Sequence, residues 1–186
     1  MRYASIRKLD ISNGEGVGVA LFVQGCPFHC YNCFNPDTWD FNGGKEWTPE
    51  VEDKLIELAN RPYIKRLSIL GGEPLADKNL NNILHLVNRF RLSFPNKSIW
   101  LYSGFRWEEC QPFNEDGLLK PDKFAPNLQK ILHKRYEVIS MCNVMVDGRY
   151  IDSQRDISLK WRGSKNQRVI DIQKSLKQNK IVLYCD

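Results

Sequence analysis

Three of the six cysteines of this chain stand within eight residues, in the run Cys26-Pro27-Phe28-His29-Cys30-Tyr31-Asn32-Cys33. Cys110, Cys142 and Cys185 are isolated. A disulfide framework spreads its cysteines and belongs to small secreted chains, so a tight cluster points instead to a metal or redox centre. Three thiolates on one loop can hold three corners of a cubane iron–sulfur cluster, where the ferredoxin pattern supplies four. The remaining iron is then open to a substrate or cofactor. The competing reading is a structural zinc site of the Cys3His kind, completed by His29. Typical zinc ligand pairs are separated by two to four residues, and His29 is adjacent to Cys30, which weighs against it. A distant Cys110, Cys142 or Cys185 could complete either site.

The surroundings of the cluster predict the fold. Gly18–Gln24 is a short, apolar, β-prone run ended by Gly25, and Cys26–Gly44 is a Cys-, Asn-, Gly- and Pro-rich loop. Thr48-Pro49 starts a helix that carries Val51, Leu55, Leu58 and Ala59 on one face and stops at Arg61-Pro62. Further strands are expected at Arg66–Leu70, Ser98–Tyr102, Val144–Val146 and Ile181–Tyr184. Further helices are expected at Lys78–Arg91 and Leu128–Arg135. Glu108–Asn127, with three prolines and a glycine, reads as a long surface loop or small insertion. Strands that alternate with helices and are apolar on both faces predict an α/β fold, a parallel sheet with covering helices. Polar or glycine-rich turns follow directly after several strands. In parallel α/β folds sites form at the carboxyl ends of strands. The cysteine loop, Gly71-Gly72-Glu73-Pro74, Tyr102-Ser103-Gly104 and Asp147-Gly148 should therefore share one end of the sheet.

The length of 186 residues suits a single domain over 1–186, and 42% hydrophobic residues are enough for a core. No apolar run is long enough to span a bilayer and the start lacks a signal-like apolar stretch, so a cytoplasmic protein without membrane contact is expected. The net charge of +5 is scattered without a run of like charges, which argues against nucleic acid as the partner.

Gly71-Gly72-Glu73-Pro74 sharpens the reading of the cysteines. Two glycines let backbone oxygens come close to a ligand. Those oxygens could receive the ammonium group of an amino acid, and Glu73 would add negative charge. CxxxCxxC after one strand and GGEP after a later one together resemble the radical S-adenosylmethionine superfamily. Cys33-Phe34-Asn35-Pro36-Asp37-Thr38-Trp39, Tyr102-Ser103-Gly104-Phe105, Val146-Asp147-Gly148-Arg149-Tyr150 and Arg162–Asp171 are similar, in the same order, to segments of the glycyl-radical-enzyme activases that serve anaerobic ribonucleoside-triphosphate reductase.

The resemblance implies a trimmed, partial TIM-like barrel and a radical S-adenosylmethionine oxidoreductase. It implies a [4Fe-4S] cluster on Cys26, Cys30 and Cys33, with S-adenosyl-L-methionine chelating the open iron. It implies cofactor contacts from Asn32, Cys33, Phe34, Gly71, Gly72, Glu73, Ser103 and Asp147. Reductive cleavage would yield a 5′-deoxyadenosyl radical that abstracts a glycine hydrogen from the radical loop of the reductase large subunit. No acid or base residue would be needed for that step. A one-electron donor such as flavodoxin is implied as a further partner. Many superfamily members carry an aromatic residue where Asn32 stands, so adenine would be met by backbone between Asn32 and Phe34. Asp147 and Arg149 could instead form a plain strand-end turn, and Arg162, Ser164, Asn166 and Gln167 could bind a carboxylate or form a capped turn. The alternatives are another target such as pyruvate formate-lyase, and a zinc-stabilised binding module without catalysis.

Overall fold

The computed structural model describes residues 1–112 and 127–185. Most of the expected Glu108–Asn127 insertion lies outside the described residues. The strands are β1 Arg2–Asp10, β2 Gly18–Val23, β3 Lys45–Glu46, β4 Arg66–Gly71, β5 Ser98–Ser103, β6 Val144–Asp147 and β7 Arg168–Asp171. The helices are α1 Pro49–Ala59, α2 Asp77–Ser93, α3 Leu128–Ser140 and α4 Ile172–Gln178.

One sheet has the order β3-β1-β2-β4-β5-β6-β7. The β2-β4, β4-β5 and β5-β6 pairs are parallel, with Phe22 opposite Leu70 and Tyr102 opposite Val146. β1, β3 and β7 pair antiparallel, which corrects the expectation of an all-parallel sheet. The sheet is open, with β3 and β7 at its edges. β1 escaped the sequence reading because its side chains are mostly polar and only Asp10 is fully buried. Backbone pairing, not burial, holds such a strand.

Strand periodicity divides the interior. Val19, Leu21, Leu67, Ile69, Ile99, Leu101 and Met145 pack with the apolar faces of all four helices in the main core. Ala20, Phe22, Leu70, Trp100, Val144 and Val146 point the other way, and no helix side chain joins their clusters. Among the described residues the helices thus cover one face. Loop aromatics take their place on the other: Trp161 and Tyr184 pack edge-on against Trp100, at 4.8 and 5.2 Å. This is why the strands read as apolar on both faces.

Helix boundaries follow their chemistry. Thr48 accepts from the Val51 amide and Pro49 opens α1. α3 continues past the expected Arg135 because Val138 and Ile139 are fully buried, and tertiary packing overrides their weak helix preference. The expected strand at 181–184 is corrected. After Asn179 adopts the left-handed conformation that ends α4, the tail follows β7 with a single bridge, Leu183 to Ile170. Leu183 stays 46% exposed, so little burial rewards a full strand. Among the described residues, no helix is long and apolar enough to cross a membrane.

The second face also holds a buried ion pair. Arg66 Nη2 donates to Asp10 Oδ1 at 2.7 Å and to its carbonyl at 2.9 Å, while Nη1 donates to the Ser68 hydroxyl. Burial pushes the Asp10 carboxyl up, but hydrogen bonds from Arg66 and Asn13 outweigh it, leaving it below the usual carboxylate range. A carboxyl lowered in the folded state stabilises the protein fully above its unfolded pKa of about 3.9 and loses that contribution as pH falls through the folded value. Denaturant unfolding between pH 5 and pH 2 should therefore show a steeper loss of stability for the wild type than for Asp10→Asn. Parallel curves would remove the pair from the pH dependence.

Candidate functional site

The carboxyl ends of β2, β4, β5 and β6 open into one cavity of about 530 Å³. That size lies within the range of small-molecule sites. Cys26, Cys30 and Cys33 line one side of it, and Gly71, Gly72 and Glu73 line another. Ser103, Gly104 and Gly148 complete the ring of strand ends, so the four turns singled out in the sequence do share one end of the sheet.

The cysteine loop is shaped locally. His29 and Asn32 have φ of +46° and +54°, the left-handed region that His and Asn tolerate better than most residues. Each bends the chain between two cysteines. The Cys33 amide donates to the Cys30 carbonyl at 3.1 Å, and the Cys33 thiol accepts from the Asn35 amide at 3.4 Å. His29 turns out of the cavity and stacks on Trp39 at 4.8 Å. Cys110 and Cys142 are fully buried away from the cavity, and Cys185 packs beside the Trp100 cluster. Burial pushes the Cys142 thiol up to about 12, as expected of an inert core thiol. The three clustered cysteines thus face the cavity with neither His29 nor a fourth thiol among its lining residues. Among the described residues, no three His, Cys, Asp or Glu side chains are gathered around one point for a single metal ion.

Burial also raises the thiols of the loop, Cys26 to about 11, with Cys30 shifted in the same direction. Metal binding must displace those protons.

The glycine loop is packed against the cysteine loop. The Glu73 amide donates to the Gly25 carbonyl at 2.8 Å, and the Gly72 amide to the Val23 carbonyl at 2.9 Å. A Cβ on Gly72 would lie 2.5 Å from the Gly25 oxygen, so only glycine permits this approach. Gly71 has φ of +99°. Asn79 Nδ2 bridges the two loops, donating to the Gln24 carbonyl at 3.0 Å and the Glu73 carbonyl at 2.9 Å. Sequence reasoning passed over Asn79 as one polar residue on a helix; its only signal was its place in the first turn after GGEP.

Glu73 is fully buried and its carboxylate is engaged. Oε1 accepts from the Leu75 amide and the Ser103 hydroxyl, both at 2.8 Å, and Oε2 accepts from the Gly104 amide at 2.7 Å. Burial pushes this carboxyl up to about 7, while the three donors and the Arg135 charge act the other way. Glu73 therefore ties the turn after β4 to the turn after β5, and Ser103 serves that tie.

Asp147 is 1% exposed and is not part of the cavity wall. It accepts from Arg168 Nε at 3.0 Å and from the Trp107 amide at 2.8 Å. The carboxylate expected to meet a cofactor thus faces Arg168, and neighbouring Gly148 and Arg149 line the cavity instead. The Ser164–Gln167 stretch forms a capped turn. Gln167 Oε1 accepts from the Gly163 and Ser164 amides, and its Nε2 donates to the Gly148 carbonyl. Asn32 is exposed and absent from the cavity wall, whereas Phe34 lines it.

Two buried polar atoms in cavity-lining side chains have no partner among the described residues, the Tyr102 hydroxyl and Arg162 Nε. An unpaired buried polar atom is costly, and a bound ligand is one way to satisfy it. Three cavity-facing thiols, two cavity-lining glycines and these unpaired atoms fit an iron–sulfur cluster beside a polar small molecule.

Comparison with known proteins points to an iron–sulfur family. The family described as "4Fe-4S single cluster domain" matches residues 12–170. The chain is 37% identical over 171 residues to the anaerobic ribonucleoside-triphosphate reductase-activating protein of Salmonella typhi, covering 91% of this chain and 97% of that one. Identity and coverage are the same for the protein of that name from Escherichia coli K12. The one from Enterobacteria phage T4 is 32% identical over 171 residues, 91% of this chain and 93% of its own. With a match across most of its length and relatives aligned nearly end to end, this chain belongs to the 4Fe-4S single cluster domain family and, within it, to the anaerobic ribonucleoside-triphosphate reductase-activating proteins.

Proposed function

We propose that the chain activates anaerobic ribonucleoside-triphosphate reductase by radical S-adenosylmethionine chemistry. The observation that carries this is the single cavity with Cys26, Cys30 and Cys33 on one side and Gly71-Gly72-Glu73 on another. Three thiolates would hold a [4Fe-4S] cluster and leave one iron for S-adenosyl-L-methionine. When bound, the reduced cluster supplies one electron to the sulfonium, giving methionine and a 5′-deoxyadenosyl radical able to take an α-hydrogen from a glycine of the reductase.

The chain's own residues bind, orient and exclude water. Backbone at Gly71 and Gly72 would receive the methionine ammonium group. Glu73 acts by holding that backbone against the turn after β5. Phe34, Tyr102 and Trp161 give the cavity apolar walls. Such walls matter because a carbon radical abstracts hydrogen from whatever lies near it. Asp147 orients the Gly148-Arg149 turn through Arg168 rather than touching the cofactor itself. The parallel run β2-β4-β5-β6, with its cavity at the carboxyl ends, is what a trimmed TIM-like barrel would retain. A one-electron donor such as flavodoxin completes the scheme.

Anaerobic reconstitution with iron and sulfide, followed by electron paramagnetic resonance of the reduced protein, tests the reading. The expected result is a [4Fe-4S]⁺ signal that changes on adding S-adenosyl-L-methionine, then a glycyl radical on the reductase. Bound zinc without acid-labile sulfide, or a cluster indifferent to S-adenosyl-L-methionine, would overturn it. A radical on pyruvate formate-lyase in its place would move the target and keep the chemistry.

A further inference from the structure

β6 and β7 are antiparallel neighbours, with Asp147 directly opposite Arg168. Two residues suffice to join such strands. Here the connection runs for 20 residues, from Gly148 to Gln167, and a long excursion inside a compact domain is usually functional. This loop is built rather than loose. Arg155 and Ser164 form a β-bridge, the Lys165 amide donates to the Gln154 carbonyl at 2.9 Å, and Ser164, Asn166 and Gln167 clamp its base. It stands at the mouth of the cavity, which its residues Arg149, Tyr150, Trp161 and Arg162 line. Phe34 of the cysteine loop packs on it, 5.1 Å from the Tyr150 ring and against Gly163.

The outer surface of the loop is unusual in two respects. Ile157 is 89% exposed and Ile151 39%, and Phe34, which packs on Tyr150 of the loop, is 58% exposed. Large apolar side chains exposed together mark interaction sites. The loop also carries five cations, Arg149, Arg155, Lys160, Arg162 and Lys165, against two carboxylates. Both carboxylates are engaged: Asp152 accepts from the Tyr150 hydroxyl, and Asp156 accepts from Ser158 and pairs with Lys165. Arg149 and Arg155 lie over the Phe28 and Phe34 rings, at 4.4 and 5.6 Å, which holds the guanidinium groups in place without neutralising them. Among the described residues, neither has a carboxylate partner.

We propose that the Gly148–Gln167 loop is the docking ledge for the protein substrate, and that the segment it receives carries acidic side chains interleaved with apolar ones. The inference rests on the activating function proposed above and adds the surface and the chemistry that recognise the target. Arginines fixed on aromatic rings offer planar donors to carboxylates, and Ile157 offers an apolar anchor beside them. The ledge would present the partner's segment to the cavity mouth between the ledge and Phe34.

The test uses the full reconstituted protein with Arg155→Glu and, separately, Ile157→Asp. Both residues are exposed and neither lines the cavity. Three quantities are read: dissociation constant for the reductase, partner-free cleavage of S-adenosyl-L-methionine, and the salt dependence of binding. Each variant should weaken reductase binding by about tenfold or more, the size expected when an interface anchor is lost or a charge reversed. Partner-free cleavage should stay at the wild-type rate. Arg155→Glu should also flatten the loss of affinity with rising salt. Unchanged affinity in both variants overturns the ledge, as does a wild type that does not bind the reductase. A fall in partner-free cleavage would mean that Arg155 or Ile157 acts on the cofactor cavity rather than on the partner, and overturns it equally. Failure of cleavage in the wild type would instead strike the proposed chemistry, while the binding comparison still decides the ledge.

Discussion

Cys30→Ala should abolish the iron–sulfur centre and leave the fold standing. Cys30 is half-buried on a loop and contributes nothing to the main core, so thermal unfolding of the metal-free protein should barely move. One of three thiolates is lost with it, and no other cysteine lines the cavity to replace it. Iron and acid-labile sulfide per chain should fall to background, and release of 5′-deoxyadenosine should drop by about a thousandfold or more, as when an enzyme loses the group that carries its chemistry. Cys185→Ser is the matched control. Its thiol packs beside Trp100 on the same sheet face and outside the cavity, so cluster content should stay at the wild-type level. A normal cluster in Cys30→Ala, or loss of it in Cys185→Ser, would mean that the ligand set has been misassigned.

The second large effect is expected at Glu73, where stability and binding should fall while the ligand set stays whole. Glu73→Ala leaves the Leu75 amide, the Gly104 amide and the Ser103 hydroxyl without their acceptor in a buried place. Each orphaned donor costs about 1–3 kcal/mol, and partial access of water reduces the sum, so a loss of about 3 kcal/mol is expected. The turns after β4 and β5 would no longer be tied, and affinity for S-adenosyl-L-methionine should weaken by about tenfold or more, a loss typical of misaligned binding groups. Cluster content should be retained, because no thiol is touched. Glu73→Gln keeps one oxygen acceptor and should fall between the two. Denaturant unfolding with iron analysis and equilibrium binding separates these outcomes. Wild-type affinity in Glu73→Ala would show that the glycine backbone holds its shape unaided.

The contrast between the two residues reflects how each was legible in the sequence. A cysteine is recognised by its type and spacing: three within eight residues already restrict the chemistry, and the structure turns all three to one cavity. Glu73 was legible as a member of GGEP, but its negative charge was expected to face a ligand. In the folded chain three donors from two turns surround it. Those donors come from Leu75 beside it and from residues thirty positions further on, and only the register of β4 against β5 brings them together. Asp147 teaches the same point. As the polar residue at a strand end it looked like a cofactor contact, yet β7 pairs with β6 and brings Arg168 onto it. β7 was invisible beforehand because Arg168–Asp171 is only four residues long, too short for a period to show.

Local chemistry alone therefore determined the cysteine triad, the glycine turn, the central strands β2, β4, β5 and β6, and the helices α1, α2 and α3. Such features depend on residue type and on periods of two or 3.6 within one segment. Tertiary structure decided the rest. It set the antiparallel edges β1, β3 and β7, whose strands are too polar or too short to announce themselves. Among the described residues it placed the helices on one sheet face, and loop aromatics, Trp161 and Tyr184 against Trp100, on the other. It also turned His29 onto Trp39 and Asp147 onto Arg168. The physical reason is common to all of these. Which neighbour a side chain meets across the sheet depends on pairing between distant segments, and that is set by burial and backbone hydrogen bonding over the whole domain.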